Sequence, residues 1–152
     1  MYGRKQYMKE ESTTGLLNIL NNITPEQMDG YIEEHARSSG KNIFSDYITE
    51  NKIVPADIVK NCSGFISKSY VYDILNGKKE NPSRDVILML CISAHMDRKM
   101  TRRVLELYGH RDLYAKDTRD IIIATYINNQ EFDLNEINDK FSEYGLTVFD
   151  AK

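Results

Sequence analysis

The chain of 152 residues holds only two cysteines, Cys62 and Cys91, 29 positions apart. Two thiols at that spacing make no zinc knuckle and no Cys-x-x-Cys redox motif. In the reducing compartment expected for this chain they are not expected to form a disulfide. Long apolar runs are missing as well. None approaches the roughly 18–20 residues that a membrane span requires. The start, MYGRKQYMKEESTTG, has basic residues but no apolar stretch, so it does not read as a secretory signal. A cytoplasmic protein is expected. There is no glycine-rich phosphate loop, no Gly-x-Ser-x-Gly and no paired-carboxylate signature. No enzyme and no cofactor is expected. Internal repeats and low-complexity segments are also lacking.

What is present is an ordinary globular composition, 41% apolar and 28% charged, in a length that suits one domain plus small extensions. The net charge of −3 at first argues against nucleic acid, but its distribution is uneven. Residues 1–40 carry four basic and six acidic side chains, residues 41–111 twelve and eight, and residues 112–152 four and nine. The middle is basic and both flanks are acidic. Such asymmetry suits a middle segment that faces a polyanion, while chance scatter on a solvated surface is the plain alternative.

Almost every segment reads as helix. Thr24-Pro25-Glu26-Gln27 combines an N-cap threonine, a first-turn proline and a capping-box glutamine. Met28, Tyr31, Ile32 and His35 follow at helical spacing before Gly40. A shorter helix is expected at about 13–22. Ile43, Phe44, Tyr47 and Ile48 mark a helix over 42–52. Pro55 opens one at about 55–62 with Ile58, Val59 and Cys62 inward, and Gly64 breaks it. Ser67 caps the next, at about 67–76, and Gly77 stops it. Pro82-Ser83 begins a helix whose VILMLCI run has no polar face and must be central. Met100, Val104, Leu107 and Tyr108 give the next, ended by Gly109. In DIIIATYI the β-branched residues also suit a strand, but the Asp117 cap and a length of about 12 favour helix over 118–129. Asp133 and Glu136 open the last, with Leu134, Ile137, Phe141 and Tyr144 ahead of Gly145. The expectation is an all-α protein in three parts: an N-terminal helical extension, 1–40; a domain, 41–111; and C-terminal helices, 112–152, packed on it.

Two short helices joined by a tight turn, at about 55–62 and 67–76, have the layout of a DNA-reading pair whose second helix enters the major groove. Val71, Ile74 and Leu75 fall at i, i+3 and i+4 and face the core. Lys68, Ser69, Tyr72 and Asp73 then point outward. Lysine can donate to guanine, serine to several bases, and aspartate can accept from cytosine. Tyrosine offers a ring for a thymine methyl and a hydroxyl for phosphate. An amphipathic surface helix with two trailing lysines is the competing reading.

These residues carry a resemblance. Ile66-Ser67, the run SKSYVYDILNGK with Val71, Ile74, Asn76 and Gly77, and the following NPSRDVILMLC resemble the phage-repressor (Cro/XRE-type) helix-turn-helix family over residues 43–95. The run from LYAKDTRDIIIATYINN to EYGLTV is similar to a group of uncharacterised bacterial regulators with extra C-terminal helices. The resemblance implies a five-helix repressor-like helix-turn-helix domain and a homodimer on double-stranded DNA. Carried over, Lys68, Ser69 and Asp73 take base-reading positions. Ser67, Tyr70, Tyr72, Asn76, Lys78, Lys79 and Arg84 complete the expected DNA-binding set. The family pattern is departed from in three places. Pro55-Ala56 stand where a phosphate-contacting glutamine is frequent, Val59 or Lys60 replaces a small mid-helix residue, and Gly64-Phe65-Ile66-Ser67 is one residue longer than the usual turn. The second function class weighed is a protein-interaction module, antitoxin-like or adaptor, whose acidic flanks recruit a protein partner.

Other chemistry is weaker. Cys91 and His95 at i, i+4 share a helix face on this reading, but two groups do not complete a zinc site. His110 past a helix end suits the dipole. Asp117, Arg119 and Asp120 suit capping at a helix start. Arg98, Lys99, Arg102 and Arg103 form a basic outer face.

Overall fold

The computed structural model describes residues 13–36, 41–79 and 81–150. Among the described residues there are nine α-helices and no strand. They are α1 (Thr13–Leu20), α2 (Pro25–Tyr31), α3 (Lys41–Glu50), α4 (Pro55–Asn61), α5 (Lys68–Leu75), α6 (Arg84–Ser93), α7 (Arg98–Leu107), α8 (Thr118–Asn128) and α9 (Leu134–Glu143). The chain divides into two compact units, Met1–Ser39 and Gly40–Lys152.

In the first unit, the Thr24 N–H donates to the Gln27 side-chain carbonyl at 3.0 Å and Pro25 occupies the first turn. A π-helical turn, Ile32–Ala36, continues α2. The Tyr31 hydroxyl donates to the Leu16 carbonyl at 3.4 Å. Leu17, Ile19, Leu20, Met28 and Ile32 are all exposed. Gly40 and residues 1–12 lie outside the described residues.

The second unit is built around α6. Val86 to Ser93 are all buried, because α4, α7 and α9 pack against this helix from different sides. The apolar helix with no polar face is indeed the central one. α5 packs on α3, and α8 lies between α7 and α9. The DIIIATYI segment is helical. Asp117 accepts from the Asp120 N–H at 2.9 Å, and Ile122, Ile123 and Ile127 are buried, while Ile121 is exposed. Tyr144, at the C-terminal end of α9, is exposed.

Six of the helices end in one repeated way. After α5, Gly77 has φ +78°, its N–H donates to Ile74 O at 3.1 Å, and the Lys78 N–H donates to Asp73 O at 2.8 Å. This is a Schellman closure, in which a left-handed residue lets two N–H groups reach back to orphan carbonyls. The same closure recurs with Gly109 and Gly145, and with three non-glycine residues, Lys52, His95 and Gln130, at φ 55°, 60° and 58°. His95 therefore sits outside α6, exposed and stacked on Phe132 with ring centroids 4.6 Å apart. Cys91 is fully buried inside the helix, so the two do not share a face as their spacing suggested.

Candidate nucleic-acid interface

The candidate site is the stretch from α4 through the loop before α6. The turn between α4 and α5 is closed by Phe65 and Ile66 N–H groups donating to Cys62 O, at 2.9 and 3.0 Å. Gly64 takes φ +88° there, a conformation that a side chain would strain. Ile66 and Cys62 are buried beneath the turn. The Asn61 side chain donates to Ser93 O at 2.9 Å, which ties the end of α4 to the end of α6.

α5 begins at Ser67, whose hydroxyl accepts from the Tyr70 N–H at 3.3 Å. Its inner face is Val71, Ile74 and Leu75, all buried. Ser67, Lys68, Ser69 and Asn76 are exposed, whereas Tyr70, Tyr72 and Asp73 are half-buried. Lys78 and Lys79 are exposed just past the Gly77 closure, and Asp73 O accepts from both of their backbone N–H groups. The Lys79 ammonium lies 5.9 Å from the centre of the Tyr70 ring. Nine of the ten expected contact residues thus lie along one helix and its exit loop.

The tenth, Arg84, is placed differently. Its guanidinium points inward, 19% exposed, and is committed to Asp120 by two bonds of 3.1 and 3.0 Å. It also donates to the carbonyls of Arg111 and Asp112, each at 3.1 Å. Four of its five N–H donors are thus committed inside the protein. Asp120, expected only to favour a helix start, is the 1%-exposed centre of this network. It further accepts from the Tyr114 N–H at 2.9 Å and from Arg111 at 3.4 Å. Nothing local in the sequence signals this, because the Arg84–Asp120 partners lie 36 positions apart.

Other expected features fall as follows. His110 is half-buried and its ring N–H donates to Pro82 O at 2.9 Å, so it pins the exit loop. In the basic outer face, Arg98 pairs with Asp112 at 2.9 Å and Arg102 with Glu106 at 3.4 Å. Arg119 bonds Asp85 at 2.8 and 2.9 Å and lies 4.7 and 4.9 Å from the rings of Phe141 and Phe149. Among the described residues no group of three or more His, Cys, Asp or Glu side chains is placed to hold a metal ion. Both cysteines are buried free thiols, and burial pushes both above the usual thiol range. Among the described residues no helix is long and apolar enough to cross a membrane. Comparison with family models, with curated proteins and with solved structures finds no match for this chain.

Proposed function

We propose that this chain is a sequence-specific DNA-binding regulator of the phage-repressor (Cro/XRE-type) helix-turn-helix class, acting on double-stranded DNA as a homodimer. The observation that carries the reading is the division of α5. Val71, Ile74 and Leu75 are buried while Ser67, Lys68, Ser69, Asn76, Lys78 and Lys79 are exposed along the helix and its exit. The five helices α3 to α7 are the number this class uses, and α4 and α5 take the places of its reading pair. α5 enters the major groove. Lys68, Ser69 and Asp73 address base edges. Ser67, Lys78 and Lys79 meet phosphates, and Arg84 organises the loop from within.

The test is selection of genomic DNA fragments by the purified protein at near-physiological salt, followed by sequencing. An enriched motif with two half-sites about one helical turn apart is expected. Binding without sequence preference that fades as salt rises leaves only general attraction to a polyanion, and the reading fails.

One observation favours a second reading, a protein-interaction module. The N-terminal unit exposes Leu17, Ile19, Leu20, Met28 and Ile32. Between residues 13 and 36 it carries Glu26, Asp29, Glu33 and Glu34 with no lysine or arginine. An apolar, acidic surface suits a basic protein partner better than DNA. A stoichiometric partner that replaces DNA, and whose binding is lost on Leu17→Ser and Met28→Ser substitution, is the outcome that selects this reading.

A further inference from the structure

We infer that Arg111 is an additional phosphate-binding residue at the edge of the DNA-reading face, held in place by the buried Asp120. The inference rests on the DNA-binding reading above and adds to it a residue from the start of the C-terminal segment.

The geometry around Asp120 leaves one cation over. Arg84 occupies both carboxylate oxygens, and the Tyr114 N–H shares Oδ2 at 2.9 Å. Arg111 reaches the same oxygen only at 3.4 Å, and its side chain is 59% exposed against 19% for Arg84. Of the two guanidinium groups that meet Asp120, the outer and more weakly held is Arg111, and Asp120, already paired with Arg84, does not neutralise its charge. The neighbouring Asp112 does not cancel it. Asp112 is taken by Arg98 at 2.9 Å and by the Leu113 N–H at 2.7 Å. An exposed contact at 3.4 Å is weak, so a phosphate can recruit Arg111 without unmaking the Arg84 pair.

Position matches charge. The Arg111 carbonyl accepts from Arg84 Nε at 3.1 Å, and the adjacent His110 ring bonds Pro82 O at 2.9 Å. Pro82 is three residues beyond Lys79, so the chain separates them by at most about 11 Å. Arg111 therefore flanks the same loop that displays Lys78 and Lys79. Phosphates repeat every ~3.4 Å of helix axis on each strand, so one stretch of backbone presents several phosphates to cations around a single loop. The buried Asp120 thereby acts as a positioning residue: it orders Arg84, the 110–114 segment and, through them, Arg111.

The experiment is titration of the full-length protein against its selected site and against a random-sequence duplex, from about 50 to about 200 mM salt. Arg111→Ala, Arg111→Lys and Lys79→Ala are compared with the unsubstituted protein, and circular dichroism melting checks that each is folded. Arg111→Ala is expected to weaken both duplexes by the same factor and to reduce the log–log salt slope by about 0.9. Arg111→Lys should retain most of the slope. If Lys79→Ala lowers the slope and Arg111→Ala does not, the inference falls while the DNA-binding reading stands. A loss confined to the selected site makes Arg111 a base reader and also overturns the phosphate role. If the unsubstituted protein shows no salt-dependent binding, the reading and the inference fall together.

Discussion

Arg84 and Asp120 form a two-pronged ion pair, Nη1 to Oδ1 at 3.1 Å and Nη2 to Oδ2 at 3.0 Å. The relationship is reciprocal one residue further along. Arg119, just before Asp120, makes the same two-pronged contact with Asp85, just after Arg84, at 2.8 and 2.9 Å. Two Arg-Asp dipeptides, each in the first turn of its helix, thus exchange side chains across the junction of α6 and α8. Each aspartate sits where the helix dipole favours a negative charge, and each arginine supplies a planar fork that matches a carboxylate.

Removing one partner of the inner pair is expected to be costly. Asp120→Ala leaves Arg84 charged and largely buried, and breaking a buried pair this way costs about 3–5 kcal/mol. Urea unfolding at neutral pH measures it. The double variant Arg84→Met, Asp120→Leu should recover much of the loss, because no uncompensated charge remains. A single variant within about 1 kcal/mol of the unsubstituted protein contradicts this account.

The helix closures predict opposite signs for two substitutions. Gly77→Ala places a side chain at φ +78° and is expected to cost about 1–2 kcal/mol. Gln130 already bears that strain at φ 58° on an exposed site, so Gln130→Gly should leave stability unchanged or raise it slightly. Thermal melts of the two variants separate the effects. Equal losses in both would mean that the left-handed positions are not what sets the energies.

An alkaline loss of stability is expected. Burial first, and the nearby Cys91 thiol second, push the Tyr108 hydroxyl up to about 12 from its ordinary 10.0. A group whose folded value is raised holds its proton longer when folded than when unfolded. Its contribution is complete below pH 10.0 and declines as pH rises toward about 12. Cys62 and Cys91, also raised by burial, add to the decline. Tyr108→Phe should flatten part of it. It should also stabilise the protein at neutral pH, because the hydroxyl is buried with no hydrogen-bond partner among the described residues. Melting temperatures across the alkaline range test both points, and superimposable curves for the two proteins would refute them.

On the DNA-binding reading, two lysines should behave differently. Lys68→Ala is expected to cost roughly 1–3 kcal/mol on the preferred site and to relax the preference at one base pair. Lys79→Ala should weaken all duplexes alike and lower the salt slope by about 0.9. Competition titrations against single-base variants of the selected site distinguish these patterns. Unchanged affinity in both variants rules out docking through α5.

Much of the helical layout was legible because its signals are local. Caps such as Ser67, Asp117 and Asp133 bond N–H groups two or three residues away, and glycine stops at 77, 109 and 145 act within one turn. The all-round apolar run of α6 announced its central place. Local spacing misled where the decisive partner was distant. Arg84 follows the exposed lysines and reads as one more outward cation, yet a carboxylate 36 positions away turns it inward. His95 shares α6's helical register with Cys91, but the Schellman closure takes it out of the helix. Arg111, a lone arginine after a histidine, carries no motif at all.

The sequence by itself determined the helices, their N-caps and the glycine stops at 77, 109 and 145, the buried stripe of α5 and the uneven charge, because period, capping chemistry and backbone restriction all operate within a few residues. Only the tertiary structure decided which cations remain available. Whether an arginine is an internal strut or an exposed contact depends on which acid the fold brings to it. That is settled by packing between α6, α8 and the 110–114 segment, not by any spacing along the chain.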